Sequence, residues 1–539
     1  MGKPYVICLT LYKSICCRPY SLAKVSTTYD DLIDVGSELM LETQSMNIQR
    51  GAINSSILLL ESRIADLSQK ICDLDELQRE LHRECNSLNR ERNSLKNQVT
   101  PISSLPNEIL GIIFEALAFT VSPKMPPTEI IISHVSQRFR DIATNTHLLW
   151  TQINVSNCTP FDMVNAYLQR SGLSSFNLCF VDNWRCRGRA EFDSLYSDVE
   201  WQTILSYMHR CRRFSAQSCG YDIMANLIDR LRGVKAPLLR SFQIKFTGQM
   251  DMELVSAHKD FKIFDGDTPA LTSVRIEGWS LLECLPPPTS VTSLTLLRPV
   301  QLIEWHDFRD MVGGHQALTH LVIGDIFDHR RMPTRIFLPS LKSLRIYPQC
   351  ERHTDADEML LSISTPVLEF LQLDNICDRD LVAIPEHPQL KDTRRFPCLR
   401  HLTISLLRYE VVHCDSWTLF CSIFPCITHF TLRLTHIDTH MSATPLMEAL
   451  NPGIATGTSS SFILPKLRVL SFNFRNIDIT SFCNMVVNRA AAGQPLGSLE
   501  LPGTNKFDLG YKLLLDELRQ YVEVGRYHAK VLDDDDDDD

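Results

Sequence analysis

Apolar residues recur every seven positions in the stretch that precedes Pro101. Six consecutive steps of this series are leucine, at Leu60, Leu67, Leu74, Leu81, Leu88 and Leu95. The position three residues before each step holds, in order, Ile57, Ile64, Ile71, Gln78, Cys85 and Arg92, and the series ends at Val99. Leucine at heptad position d with isoleucine at position a is typical of a parallel two-stranded coiled coil. The pattern therefore predicts a dimerising helix over residues 51–100, while residues 1–50 show no clear period.

Other readings of this helix are a DNA-binding zipper and a helix that folds back on its own protein. A zipper needs a basic region just upstream, and residues 25–56 hold only Arg50 among lysines and arginines. That composition excludes the zipper. Lys70 with Asp75, and Glu91 with Lys96, have the spacing of attractive pairs between two parallel helices. The sequence leaves a homodimer and a fold-back open.

A second pattern recurs between residues 236 and 505. An apolar residue is followed three positions later by a second apolar residue, and two positions after that by a third. Ten copies begin at Leu239, Leu271, Val291, Leu318, Leu341, Leu368, Leu399, Ile427, Leu467 and Leu496. They recur about every 29 residues, which lies within the range of leucine-rich repeats. Residues two apart in a strand share one face, so each copy predicts a strand with two core-facing side chains. The expected fold class is α/β, with these strands in the parallel sheet of an irregular solenoid; an ordinary α/β domain of assorted strands is the alternative.

The residue between the two core-facing positions is expected to point to the opposite, concave surface. Candidate target-binding residues on this row are Gln243, Arg275, Arg345, Gln372 and Thr403. Arginine forms paired hydrogen bonds with carboxylates and phosphates, so an acidic or phosphorylated target segment fits the two arginines. The alternative is that both merely pair with local acids such as Glu277.

Residues 103–150 carry two apolar stripes at helical spacing. Pro106 suits a first helical position because it lacks the N–H that a helix start leaves unpaired, and Glu108 suits the positive end of the helix dipole. A loop with three prolines separates the stripes. Two short helices bury too little apolar surface to be stable alone, so we expect a partner.

These residues resemble an F-box, in particular the F-box-like domains of the fungal type. The matching segments are LPNEIL at residues 105–110, IIF at 112–114, SHVSQRFRDIA at 133–143 and THLLW at 146–150. The family usually has Trp where Phe139 stands and more basic residues where Ser136 and Gln137 stand. The alternative is an unrelated helical hairpin within a larger helical domain.

The resemblance implies a module that binds a Skp-type adaptor and, through it, a cullin–RING ubiquitin ligase. The residues it implies in adaptor binding are Leu105, Pro106, Ile109, Leu110, Ile113, Phe114, Val135, Phe139 and Trp150. The repeats at residues 236–505 resemble the leucine-rich-repeat half of an F-box protein. The implied function is a non-catalytic substrate receptor of an SCF-type ligase, and the alternative is a protein-interaction scaffold that recruits no ligase.

The expected organisation has six segments. They are an undefined segment at 1–50, a coiled coil at 51–100, an F-box at 101–152, a linking region with the first irregular repeats at 153–235, a solenoid at 236–505, and a helix with an acidic disordered tail at 506–539. A strand is predicted at residues 176–181, and helices are predicted at 201–209 and at 507–524.

Composition and motifs narrow the functional classes further. The net charge is −10, but seven of the negative charges lie in the terminal Asp run, so the body lacks the positive field of a nucleic-acid-binding protein. The 18 cysteines form no CxxC pair and no zinc-finger spacing with histidine, which predicts reduced thiols in a cytoplasmic or nuclear protein without bound metal. No catalytic motif and no cofactor motif occurs, and no apolar run is long enough to cross a membrane.

Overall fold

The structure is a computed structural model in which the chain forms two units, residues 1–106 and residues 107–539. It describes residues 29–118, 127–156, 159–181, 196–248, 263–266, 268–281, 284, 290–299, 302–324, 326–327, 335–347, 356–387, 395–406, 412–434, 443–451, 463–473, 478–501, 513 and 516–527. The first 28 residues and the acidic tail lie outside these ranges. The fold is mixed α/β, with a long N-terminal helix and a large parallel sheet.

The first unit is dominated by one 70-residue helix, α1 (Tyr29–Gln98), followed by a 3-10 turn at Pro101–Ser104. No proline interrupts it, and Pro101 stands just beyond its end, where the missing N–H forbids continuation. Along its surface Lys70 pairs with Asp66 at 2.7 Å, four residues apart on one helical face. The helix starts about 20 residues before the predicted boundary at residue 51.

The second unit begins with a helical module. Its helices are α2 (Asn107–Ala118), α3 (Thr128–Val135) and α4 (Gln137–Asn145), followed by a 3-10 turn at His147–Trp150. Ser136 separates α3 from α4 because its extended backbone ends one helix. Its hydroxyl oxygen then accepts the Phe139 N–H at 3.1 Å and caps the next helix.

A 14-stranded parallel sheet forms the rest of the second unit. Its strands are, in order across the sheet, β1 (Gln152–Ser156), β2 (Phe176–Val181), β3 (Cys211–Ser218), β4 (Ser241–Phe246), β5 (Ser273–Glu277), β6 (Ser293–Leu297), β7 (His320–Gly324), β9 (Ser343–Tyr347), β11 (Phe370–Ile376), β12 (His401–Leu406), β13 (His429–Leu434), β14 (Val469–Phe472), β15 (Ser498–Leu501) and β16 (Glu523–Arg526). A separate parallel pair consists of β8 (Ile336–Phe337) and β10 (Ile363–Ser364). Each strand of the large sheet pairs with the next one along the chain, apart from these two.

Helices occupy most of the connections between successive strands. They are α5 (Phe161–Arg170), α6 (Asp198–Ser206), α7 (Tyr221–Arg230), α8 (Trp305–Gly313), α9 (Ala356–Ser362), α10 (Asp378–Glu386), α11 (Cys414–Ser422), α12 (Thr444–Leu450) and α13 (Ile479–Ala491). Short 3-10 turns lie at Met208–Arg210 and Ile263–Gly266. The repeated alternation of strand and crossover is consistent with a solenoid-like fold.

Backbone hydrogen bonds repeat from strand to strand at the start of each strand. The Arg240 carbonyl accepts two N–H groups of the next repeat, from Thr272 and Ser273, each at 3.0 Å. The same double acceptance recurs at the carbonyls of Thr272, Thr292, Thr319, Lys342, Glu369, Arg400, Thr428 and Arg468. Because every repeat uses the same backbone groups, this pattern keeps the strands in register although the connections differ in length.

The core lies beneath the strands, where two side chains per strand point inward. In β4, for example, Phe242 and Ile244 are fully buried while Gln243 between them is half-buried. All ten predicted repeats contain such a strand. The sheet extends further than predicted, because β1 to β3 precede these repeats and β16 follows them. Only β2 of these four was predicted as a strand, and the predicted C-terminal helix is wrong at Val524, which lies in β16.

Three arginines of the crossover layer bind the carbonyls that a preceding helix leaves unpaired at its C-terminus. Arg210 donates to the Leu168 carbonyl of α5 at 3.1 Å, Arg395 to the Leu360 carbonyl of α9 at 2.7 Å, and Arg489 to the Leu450 carbonyl of α12 at 3.5 Å. Burial lowers the pKa of Arg489 to about 10. Each arginine belongs to a later repeat than its acceptors, so the side chain ties successive repeats together.

Replacing Arg489 by methionine is expected to destabilise the protein by roughly 2–4 kcal/mol, because buried carbonyls lose their donor. Arg489 is fully buried and also donates to the Ile463 carbonyl at 3.2 Å. Thermal unfolding measures the change. Arg468→Met is the matched control, since the Arg468 side chain is exposed and should shift stability by less than about 0.5 kcal/mol. Equal melting temperatures for parent and Arg489→Met would contradict the capping role.

Candidate functional site

Helix α2 is apolar on two faces. Leu110 and Phe114 point inward and are buried, and the Phe114 ring lies 5.1 Å from the Phe139 ring of α4. On other sides of the helix Ile109 is 43% exposed and Ile112 is 61% exposed. A helix in water normally shows one apolar stripe and one polar face. The second apolar surface of α2 is therefore a feature that the module's own core does not explain.

Helix α3 adds further exposed apolar side chains beside α2. Ile132 is buried in the module, whereas Ile131 and Val135, one turn apart, are exposed. We define the open apolar face as the exposed or half-exposed apolar side chains of these two helices: Ile109, Ile112, Ile113, Leu117, Ile131 and Val135. Clustered exposed apolar residues of this kind mark interaction surfaces.

The nine residues implied in adaptor binding do not share one environment. Ile109, Ile113 and Val135 belong to the open apolar face, and Phe139 is half-buried against Phe114. Leu110, Phe114 and Trp150 are buried at 0%, 2% and 1% exposure, so in the single chain they pack inside the second unit. Leu105 and Pro106 belong to the first unit, where Leu105 is half-buried and Pro106 is exposed.

Sequence reasoning left three members of the open apolar face out of the candidate set: Ile112, Leu117 and Ile131. The signal was present, because the segment NEILGIIFEALA holds more apolar residues than one helical stripe accommodates. Periodicity identifies that a stripe exists. It does not identify which of two apolar faces meets the core.

Trp150 joins the helical module to the first repeat of the sheet. Its indole N–H donates to the Ala143 carbonyl of α4 at 2.8 Å. Its ring meets the Tyr167 ring edge-on at 5.0 Å, and the Arg170 guanidinium lies 4.5 Å from the ring centre. Both of these partners lie on α5, so the residue that sequence analysis assigned to adaptor binding connects α4 to α5.

A buried hydrogen bond makes a second connection between the module and the first repeat. The Tyr167 hydroxyl of α5 donates to the Glu129 carboxylate of α3 at 2.5 Å, and both residues are buried. Burial raises the pKa of Tyr167, and the bond to Glu129 raises it further. The phenol therefore stays protonated and keeps donating across the physiological range, which holds α3 against α5.

The Glu129–Tyr167 bond predicts a change in stability at alkaline pH. The unfolded chain loses the phenol proton near pH 10, before the folded chain does, so the contribution is complete below about pH 10 and is lost above it. Tyr167→Phe should cost about 1–2 kcal/mol at neutral pH, because Glu129 loses its donor. The melting temperature of the parent should then fall more steeply than that of the variant between about pH 9 and pH 11. Tyr521→Phe, at an exposed site, should keep the parent's slope; parallel curves for Tyr167→Phe would contradict the coupling.

On the face of the sheet opposite the core, the two arginines of the predicted target-binding row pair with acids of their own sheet. Arg275 contacts Glu277 at 3.3 Å, and Arg298 also pairs with this buried carboxylate. Arg345 contacts the buried Asp374 at 2.7 Å. The first pairing is the alternative that sequence analysis left open. Both arginines therefore have structural partners in the free protein.

The other residues predicted on this row have different exposures. Gln372 is buried and donates its amide to Asp374 at 3.0 Å, so it supports the same ion pair as Arg345. Gln243 and Thr403 are half-buried on their strands. The row lies between core-facing positions as predicted, but its polar groups largely satisfy one another.

Aromatic rings stack on one another at the first position of three successive strands. The Phe370 ring of β11 lies 4.3 Å from the His401 ring of β12, which lies 4.1 Å from the His429 ring of β13. The three residues are direct partners in the parallel register, and Phe370 is 39% exposed. We call these three residues the aromatic row. Sequence reasoning missed it because it considered only the position between the two core-facing residues.

Helix α1, in the first unit, presents a further exposed apolar surface. The six leucines of the predicted d series are between 53% and 64% exposed. Within the described part of α1, all side chains except that of Asn89 are exposed. Cys72 and Cys85 also lie on this helix as exposed free thiols.

Neither a metal centre nor a membrane segment is present in the described residues. No three side chains among their histidines, cysteines, aspartates and glutamates are placed to hold a metal ion. None of the helices in these ranges combines the length and the apolar character needed to cross a membrane.

Comparisons with known proteins include a weak structural likeness. No family model and no curated protein matches the sequence. The chain is similar to the crystal structure of a complex of Rad7 and Elc1 in yeast, with a TM-score of 0.32 and 13% sequence identity. That match covers 82% of this chain and 97% of the other chain. A TM-score this low carries no argument about function, which must be inferred from the geometry of this chain.

Proposed function

We propose that this chain is the substrate-recognition subunit of an SCF-type cullin–RING ubiquitin ligase. In this role the helical module binds a Skp-type adaptor, and the sheet, as a leucine-rich-repeat-like solenoid, binds the target protein. The role is non-catalytic, because the partner ligase carries out ubiquitin transfer. The observation that carries the proposal is the second apolar surface of α2 within a segment whose sequence resembles an F-box.

The open apolar face supports adaptor binding on physical grounds. Ile109 and Ile112 expose much of their apolar surface to water, which a partner's apolar side chains would remove. Each fully buried aliphatic side chain contributes about 1.5–3 kcal/mol relative to exposure. Several such residues on two neighbouring helices provide enough apolar area for the core of an interface.

The connection between module and sheet supports a receptor role. The Glu129–Tyr167 bond and the packing of Trp150 against Tyr167 hold α3 and α4 against α5 in the first repeat. A target bound to the sheet would then be held at a fixed distance from the adaptor. A ligase needs that positioning, because the target must reach the site of ubiquitin transfer.

Ile109→Asp combined with Ile112→Asp should abolish adaptor binding. Two carboxylates would have to lose their water in the interface, which is expected to cost more than about 3 kcal/mol, or over 100-fold in affinity. Binding of purified protein to a purified Skp-type adaptor measures the effect. Leu173→Asp is the matched control, because Leu173 is an apolar residue 96% exposed outside the module. Adaptor affinity equal to the parent's in the double variant would contradict the assignment and favour a scaffold that recruits no ligase.

For the target, we propose that the aromatic row forms the principal contact. Arg275 and Arg345 already pair with buried acids, whereas Phe370, His401 and His429 stack face to face on three adjacent strands and turn their ring edges away from the sheet. A row of ring edges on a rigid sheet suits the flat face of an aromatic side chain in an extended segment, because aromatic pairs favour edge-to-face contact. Such rings lose little further entropy on binding because their backbone is already held in the sheet.

Phe370→Ala combined with His401→Ala should weaken target binding at least tenfold while adaptor binding stays at the parent's level. The ring edges that would contact the target are removed, but the backbone ladder of β11 and β12 remains. Targets enriched with the parent are identified by mass spectrometry with a neddylation inhibitor present, and one of them is purified and titrated. Ser343→Ala, at the same register position on β9, is the control. If the folded double variant binds the target with the parent's affinity, the target does not bind at the aromatic row.

A further inference from the structure

We propose that α1 pairs with α1 of a second copy of this chain, parallel and in register, and that Cys85 of each copy meets Cys85 of the other at the helix interface. The starting observation is the exposed apolar series on this helix. Leu60, Leu67 and Leu74 are each more than half exposed, and no described part of the chain covers them. This inference does not rest on the proposed ligase role.

The extent of the helix lengthens the series beyond the six leucines. Upstream of Leu60 the same seven-residue step meets Ile53, Met46, Leu39 and Leu32, all within α1. Ten consecutive d positions are therefore apolar along a helix about 105 Å long at 1.5 Å per residue. A sustained heptad series of this length is typical of a long coiled coil and not of a short surface helix.

The residues at heptad positions a and d favour a pair of parallel helices. Isoleucine at position a with leucine at position d, as in the three heptads from Ile57, is the combination of parallel dimers. Gln78 and Arg92 occupy later a positions. A polar residue at such a position reduces stability but restricts the register, because a shifted partner would place it against an apolar side chain.

The flanking charges fit the same arrangement. In a parallel in-register pair, Lys70 at position g faces Asp75 at position e of the other copy, and Glu91 faces Lys96. The other g and e positions along α1 bring no two like charges together. Within one copy Lys70 pairs with Asp66 at 2.7 Å, so in the dimer Asp75 of the other copy competes with Asp66 for this ammonium group.

The two cysteines of the helix distinguish this arrangement from others. Cys85 falls at position a, at the interface, while Cys72 falls at position b, on the outer face; both are exposed free thiols in the single chain. Only a parallel in-register pair brings Cys85 next to its own copy. A disulfide requires Cα atoms within about 4.4–6.8 Å of each other, so cross-linking reports the register directly.

The test oxidises the full-length protein with diamide, which takes two electrons and two protons from a pair of thiols as their disulfide forms. We expect a dimer by sedimentation before oxidation, and after it a covalent dimer whose linked peptide joins Cys85 to Cys85. Cys85→Ser should remove this linked peptide, and Cys72→Ser should leave it unchanged. A linked peptide through Cys72 at equal yield, or a dimer without the Cys85 link, would overturn the parallel in-register arrangement.

A second variant separates this inference from the proposed function. Leu67→Lys combined with Leu74→Lys places charges at two d positions, and sedimentation should then show a monomer at micromolar concentration. The open apolar face lies on other helices, so this variant should bind the adaptor as the parent does. A parent that sediments as a monomer would overturn the proposal and favour a helix that folds back on its own chain.

Discussion

Each strand of the sheet depends on the next one along the chain, both for its backbone hydrogen bonds and for the burial of its two inward side chains. The carbonyl before a strand accepts two N–H groups of the following repeat, as at Arg240 with Thr272 and Ser273. Since no repeat buries its apolar edge alone, the stability of the array rests on contacts between neighbours. Connections of very different length are tolerated because the hydrogen bonds and apolar contacts between neighbouring strands do not involve them.

The ends of such an array need protection, because an edge strand exposes unpaired backbone groups and apolar side chains. At the N-terminal end, the helical module packs against the first repeat through Trp150 and the Glu129–Tyr167 bond. Pro127 and Glu129 of the module line the same small cavity as Gln152 and Ile153 of β1. The module thus combines two roles: it covers the start of the sheet with one side and keeps the open apolar face on α2 and α3 uncovered.

The arginines discussed above and the aromatic row differ in whether their side chains are already paired within the chain, which composition does not show. Arg489, buried and bound to carbonyls, and Arg345, paired with Asp374, satisfy groups of the chain itself. The rings of the aromatic row, by contrast, stack face to face across three strands and turn their edges to the side of the sheet opposite the core. The proposed contact of a target with these ring edges needs no unpaired charge in the free protein. It therefore avoids the desolvation cost of an unpartnered arginine.

The sequence by itself determined the elements whose signal is periodic. A seven-residue step predicted the long helix, and the two-residue alternation predicted the ten strands from β4 to β15 that belong to the repeats, because these periods follow directly from helix and strand geometry. Strands β1 and β3 carry the same spacing, at Trp150, Ile153 and Val155 and at Cys211, Phe214 and Ala216, but they precede the residue at which the predicted repeats begin, whereas β16 departs from the pattern at Arg526. The tertiary structure alone decided that Leu110 turns inward while Ile109 faces out, that Trp150 connects α4 to α5, and that Arg345 meets Asp374, 29 residues away. Periodicity states which side chains share a face, but the neighbour that covers the face comes from a distant part of the chain, and only packing brings the two together.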